Sequence, residues 1–386
     1  MKRALRGLCW TVCALALAST VSPAFAFERV RPTAPQSVGW PLWNAFADGF
    51  ILDEGRVVDW SERSRTVSEG QAYAMFFSLV ANDRKTFDRL YEWTQKNLSG
   101  GRFTQQLPAW LWGYPVEGPA VPMVLDPNSA SDADLWFAYN LIEAGRLWNV
   151  PRYTQDGHAL LNLIAKVETR EKFGTTVLLP GKNGFEFENA VRLNPSYLPP
   201  FVLRRLAQAD PKGPWLKILQ DFTKLLPDLV INGGIPDWFL LTEKGPRQDS
   251  VTGDVGSYDS VRNYLWAGLM NQRAPEAAAF MRAYKPFVSY VRQSGRIPEK
   301  WYSGGRAGFG SFPVGIQTAF IPFFALSNGS DLAKGITADL SAKTASNLVG
   351  TPARYYEQVL SLFALGWVDH QFSFDENGKL IPKWKR

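Results

Sequence analysis

The chain has 386 residues, enough to bury one large core or two smaller ones, yet it holds only two histidines, His158 and His370, and two cysteines, Cys9 and Cys13. That inventory leaves little room for a Ser-His-Asp triad, a thiolate nucleophile or a His-ligated metal, and it points to acid/base work by Asp and Glu. The 42 basic residues against 36 acidic ones give a net charge of +6, scattered along the chain rather than clustered, which argues against a nucleic-acid partner.

In chain order, Lys2, Arg3 and Arg6 form a positive n-region, followed by an apolar run from Leu8 to Thr20 that is too short to span a bilayer comfortably. Ala24-Phe25-Ala26 then supplies small residues where a signal peptidase reads. The expected product is an exported chain starting near Phe27, with residues 1–26 removed and one domain over 27–386. Cleavage takes away both cysteines, so the core must hold the fold without disulfides. It also leaves 39 basic against 36 acidic residues, a net +3. No later stretch reaches transmembrane length. The reading is a periplasmic or secreted protein without a membrane anchor.

Helical periodicity dominates the mature chain. It predicts helices near 39–51, 69–81, 84–98, 131–148, 153–169 and 195–209. Further helices are predicted near 212–226, 257–271, 274–294, 314–326, 331–346 and 353–367. Their character tends to alternate. Residues 135–148 carry Trp136, Phe137, Tyr139, Leu141, Ile142, Leu147 and Trp148 on nearly every side, whereas 84–98 set Arg89, Glu92 and Lys96 on a wet face. A helix apolar all round is buried, and a two-faced one lies at the surface. Twelve such helices suggest six hairpins in inner and outer rings, an all-α (α/α)6 barrel. Loops rich in Gly, Pro and aromatic residues at 107–114, 234–239 and 300–311 interrupt the pattern and have room for short strands.

The polar residues at helix starts are the candidates for chemistry. Glu69 opens the second helix, Asp132 the fourth, Tyr197 the sixth and Asp259 the eighth. In an alternating ring the even-numbered helices run the same way, so these four residues converge at one mouth. Ser68 and Ser131 fit the N-cap pattern, and acids in a first turn are stabilised as anions by the helix dipole. A general acid has the opposite need. Apolar walls from Met75, Phe76 and the Trp110/Trp112 loop, with the charge of Asp132, would oppose the dipole by raising the Glu69 pKa, and the sequence leaves open which of the two prevails. Trp110, Trp112, Trp238 and Trp301 sit in Pro- and Gly-rich loops and are candidate platforms for sugar rings. The Asp132/Asp134 pair begins a helix rather than occupying a glycine-containing loop, so neither a metal nor a cofactor is expected, and Asp134 reads as structural.

At these positions the sequence resembles glycoside hydrolase family 8. The stretch Ala130-Ser131-Asp132-Ala133-Asp134, followed by Ala138, Ala144 and Trp148, is similar to that family's signature. Ser68-Glu69-Gly70-Gln71, residues 107–113, 179–182 and 194–200, Ser257-Tyr258-Asp259 with Arg262, and Gly366-Trp367 extend the resemblance over the whole mature chain. Within the family it is greatest to the endoglucanases encoded with bacterial cellulose synthase. The resemblance implies an (α/α)6 barrel that hydrolyses internal β-1,4-glucosidic bonds with inversion. Glu69 would be the general acid and Asp259 the general base, with Asp132 binding and distorting the central sugar. Tyr197 and Arg262 would stand beside the base, Arg262 keeping Asp259 ionised by charge pairing. Inversion asks for carboxyls ~6.5–9.5 Å apart, retention for ~5–5.5 Å.

The implied partners are β-1,4-glucan chains and the cellulose synthase export complex, with the protein acting as a monomer. Family members also cleave xylan, lichenan or chitosan, and polycationic chitosan suits a more acidic protein better. Two further readings are a polysaccharide lyase on a similar toroid, using Tyr and Arg, and a non-catalytic glucan-binding protein on an inactive scaffold. The pairing of Glu69 with Asp259 favours hydrolysis over both.

Overall fold

Residues 39–386, other than 119, 303, 304 and 343, are described by a computed structural model of the chain, so the expected signal sequence lies outside the described residues. Each predicted helix has a counterpart. The first half of the chain forms α1 (Pro41–Phe50), α2 (Ser68–Val80), α3 (Arg84–Leu98), α4 (Ser131–Trp148), α5 (Pro151–Glu168), α6 (Pro200–Ala209) and α7 (Trp215–Leu229). The second half forms α8 (Val261–Leu269), α9 (Ala277–Tyr284), α10 (Pro286–Ser294), α11 (Val314–Gln317), α12 (Ile321–Leu326), α13 (Ser330–Ala342) and α14 (Tyr355–Val368). Among the described residues no helix is long and apolar enough to cross a membrane.

Prolines account for where the predicted helices divide. Pro286 has no N–H to continue the helical ladder, and it separates α9 from α10. A 3-10 turn, Thr318–Phe320, divides α11 from α12, with Pro322 in the first turn of α12. Pro195, Pro199 and Pro200 leave a second 3-10 turn, Pro195–Tyr197, ahead of α6.

Helices α2, α4, α6, α8, α12 and α14 pack each against the next, and α14 returns to α2, which closes the inner ring. Outside it, α3, α5, α7, α9 and α13 cover α2, α4, α6, α8 and α12, while α1 covers α14. The first helix of the barrel is therefore the outer partner of the last. Composition explains the sorting. Every residue of α8 is buried, as is every residue of α2 except Glu69, whereas α3 buries only the face through Phe87, Leu90, Tyr91 and Trp93 and neighbours. Phe363 of α14 sits among the inner helices, its ring centroid 4.6 Å from Phe77, 5.0 Å from Tyr73 and 5.3 Å from both Trp136 and Trp266. Close approach is needed as well as bulk: a Cβ on Gly268 would come within 2.3 Å of the Phe323 backbone nitrogen.

Short strands occupy the loops at the mouth, including Leu111–Gly113, Phe239–Thr242 and Trp301–Tyr302. A four-stranded antiparallel sheet, in the order Glu186–Phe187, Ala190–Leu193, Phe239–Thr242, Gly245–Gln248, was not predicted, because strands of two to four residues carry too little alternation. Its register, with Leu193 opposite Phe239, brings Trp238 to the Pro195–Tyr197 turn.

Candidate active site

The N-terminal ends of the inner helices carry the site. Glu69 and Asp132 are the second residues of α2 and α4, Tyr197 ends the 3-10 turn before α6, Asp259 lies in the turn before α8, and Tyr355 begins α14. Arg262, in the first turn of α8, joins them. Its side chain is only 2% exposed and pairs with Glu69 Oε2. The guanidinium also donates to Asp259 Oδ1 at 3.0 Å and Ser196 Oγ at 2.9 Å, and reaches Asp132 Oδ2 at 3.4 Å. Arg262 was expected beside Asp259 alone. The structure instead makes it a bridge among three acids and Ser196, which the five donors of a planar guanidinium serve together. Tyr197 lies against the same guanidinium, 5.5 Å from its central carbon to the ring centroid.

Tyr355 donates its hydroxyl to Glu69 Oε1 at 3.2 Å. It escaped the sequence reading, although it opens the last inner helix as Glu69 and Asp132 open theirs. Ser68 and Ser131 are not the caps that they were expected to be. They are the first residues inside α2 and α4, behind Val67 and Ala130. Neighbouring loops satisfy the helix ends through the backbone instead, Ser68 N donating to Trp110 O and Ser131 N to Pro180 O, each at 3.0 Å.

Burial sets the electrostatics. It raises the Glu69 pKa, and Asp259 adds to the rise, while Arg262 and Tyr355 oppose it. Burial likewise carries Asp132 up to about 7 against the pull of Arg262, with Glu69 adding to the rise. Asp132 is only 5% exposed, whereas the Asp259 side chain is 34% exposed. A carboxyl whose pKa is higher folded than unfolded contributes stability at low pH that is lost as pH rises through the folded value. Asp132→Asn should therefore melt at a higher temperature than the wild type above about pH 7 and at nearly the same temperature below about pH 4. Equal melting temperatures at both ends of that range would contradict the burial argument.

The four candidate tryptophans separate. Trp301 is 3% exposed, packs on Phe287 at 5.1 Å and Tyr264 at 5.7 Å, and donates its indole N–H to Ile235 O at 3.0 Å. Trp112 is buried edge-on to Trp93, with the Arg56 guanidinium 4.9 Å above its ring. Both belong to the interior, a correction to their reading as sugar platforms: each lies in a short strand, Leu111–Gly113 or Trp301–Tyr302, with its ring packed on core aromatics. Trp110 is half-buried, in the loop whose backbone meets the start of α2. Trp238 is half-buried and donates its indole N–H to Asp259 Oδ2 at 3.1 Å. Among the described residues no group of His, Cys, Asp and Glu is arranged to hold a metal ion.

A helical barrel that brings a half-buried acid and a more exposed second carboxylate to one mouth has the makings of a carboxylate-pair glycoside hydrolase. The chain belongs to that class: it is a member of the glycosyl hydrolases family 8, whose profile matches residues 27–370. It is 41% identical to an endoglucanase of Xanthomonas axonopodis pv. citri over 91% of each chain. An endoglucanase of Salmonella typhi is also 41% identical, over 91% of this chain and 93% of that one. The crystal structure of an endo-1,4-D-glucanase from Vibrio fischeri, 40% identical, superimposes with a TM-score of 0.82 over 90% of this chain and 100% of that one.

Proposed function

We propose that this protein is an endo-β-1,4-glucanase that hydrolyses internal glucosidic bonds of cellulose with inversion at the anomeric carbon. One observation carries the reading: Glu69 and Asp259 sit on different nitrogens of Arg262 in unequal surroundings. Glu69 is held toward its protonated form by burial, as a general acid requires. Asp259 is more open to water and accepts hydrogen bonds from Arg262 and Trp238, as suits a carboxylate base. In the reaction, Glu69 gives its proton to the leaving glycosidic oxygen. Asp259 takes a proton from a water whose oxygen attacks the anomeric carbon from the opposite face. Asp132 binds the central sugar and helps to distort it, and Trp110 offers a ring at the rim. The relatives' endoglucanase names support glucan as the substrate.

Export rests on the positive n-region, apolar run and Ala24-Phe25-Ala26 of residues 1–26. Residues 27–386 would then act as a monomeric catalytic domain in the periplasm or outside the cell, on glucan chains made and exported by a cellulose synthase complex. The test is to incubate the protein with carboxymethyl cellulose and follow viscosity and reducing ends together. A rapid viscosity drop with few new reducing ends is the expected result. Reducing ends without a viscosity drop would replace endo with exo action, and cleavage of xylan or chitosan but not glucan would reassign the substrate.

A further inference from the structure

The sheet next to the mouth delivers two consecutive residues, Asp237 and Trp238, to opposite parts of Asp259. Asp237 Oδ1 accepts the backbone N–H of Ser257 at 2.8 Å and that of Ser260 at 2.7 Å, the residues that bracket Tyr258 and Asp259. Its own N–H donates to Val255 O at 2.8 Å, so the carboxylate ties both ends of this turn to one strand lead-in. Trp238 acts on the side chain. Asp259 has one donor for each oxygen, Arg262 for Oδ1 and Trp238 for Oδ2, which fixes the rotation of the carboxylate.

The indole is itself held. The Arg192 guanidinium lies 4.2 Å from its ring centroid and is fixed by two bonds to buried Asp249, at 2.8 and 3.0 Å. Phe185 runs parallel to it at 6.0 Å, and Tyr197 meets it at 5.9 Å. A ring so enclosed, with its N–H committed to an acid, is poorly placed to serve as a sugar platform.

We infer that Asp237 and Trp238 are positioning residues for Asp259, the first setting the backbone turn and the second aiming the carboxylate. The inference rests on reading Asp259 as the general base. A base must lie within hydrogen-bond reach of the proton that it removes, and a displacement of about 1 Å is enough to cost about a hundredfold in rate. Trp238→Phe retains an aromatic ring for Arg192 and Phe185 while deleting the donor. Asp237→Asn retains an oxygen able to accept both N–H groups, whereas Asp237→Ala removes it.

The experiment measures kcat and KM on cellopentaose, with melting temperatures, for these three variants and Asp259→Asn. Trp238→Phe should lower kcat about tenfold with KM within about twofold of wild type and an unchanged melting temperature. Asp237→Ala should lower kcat about a hundredfold, and Asp237→Asn should recover most of it. A raised KM at unchanged kcat in Trp238→Phe would make the indole a sugar contact and overturn its positioning role. An Asn variant as slow as the Ala variant at position 237 would overturn the backbone clamp. Wild-type kcat in Trp238→Phe and Asp237→Ala beside an inactive Asp259→Asn would sink the inference alone. Near-normal kcat in Asp259→Asn would instead remove the base assignment beneath it.

Discussion

Glu69→Gln binds cello-oligosaccharides with close to wild-type affinity and turns them over about 10²–10⁴-fold more slowly, the range that general-acid assistance normally supplies. Glutamine has nearly the shape of glutamic acid; its one carbonyl oxygen can accept from Arg262 while its amide NH2 donates to the Tyr355 hydroxyl, so the mouth keeps its form. What it lacks is a transferable proton. The leaving oxygen must then depart as an alkoxide, and that cost falls on the transition state and not on binding. Titration calorimetry with cellotetraose, beside steady-state rates, separates the two effects.

The pH profile adds an independent reading. Burial raises the Glu69 pKa, so the wild type keeps its acid protonated into a higher pH range than an exposed glutamate would. The rate therefore falls on the alkaline side as Glu69 loses its proton, and the residual rate of Glu69→Gln should lack that fall. Near-normal turnover, or an unchanged alkaline limb, would remove Glu69 from its role.

Arg262→Met carries the largest expected loss of stability. The cation is buried and serves Glu69, Asp132 and Asp259 together. Removing one partner from a buried ion pair costs roughly 3–5 kcal/mol, because the remaining charge is left without compensation. Here the remaining groups are acids and can escape the cost by taking up protons. Arg262 now opposes the burial-driven rise of Glu69 and Asp132, so its loss sends both pKa values higher. Groups with raised folded pKa values contribute stability at low pH and lose it as pH rises through those values. The deficit of Arg262→Met relative to wild type should therefore be greatest above about pH 7 and shrink toward about pH 4. Urea unfolding at both ends of that range measures it. A deficit that is constant with pH would mean that Arg262 stabilises the barrel by packing alone. Activity should fall with stability, since the acid and the base lose their shared tether.

Much of this architecture is visible in the residues themselves. The all-round apolar character of 135–148 marks an inner helix, and Arg89, Glu92 and Lys96 mark 84–98 as an outer one, because local period and polarity decide which faces can bear water. Periodicity predicts one continuous helix near 274–294, and Pro286 divides it for an equally local reason. Glu69, Asp132, Tyr197 and Asp259 are recognisable as candidates since each stands at a helix start and the even-numbered helices share a direction.

Local pattern is therefore enough to place the helical segments, to sort inner from outer, and to name the residue types at one mouth. Which of these touch depends on closure of the ring. Arg262 meets Glu69 across 193 residues of chain, and Tyr355 meets it across 286. The cover of the last helix by the first, and the inward turn of Trp112 and Trp301 while Trp238 reaches Asp259, are likewise contacts between distant segments. Periodicity reports the surroundings of a residue averaged over a helical turn. A hydrogen bond depends on tenths of an ångström between side chains that only the closed ring brings together.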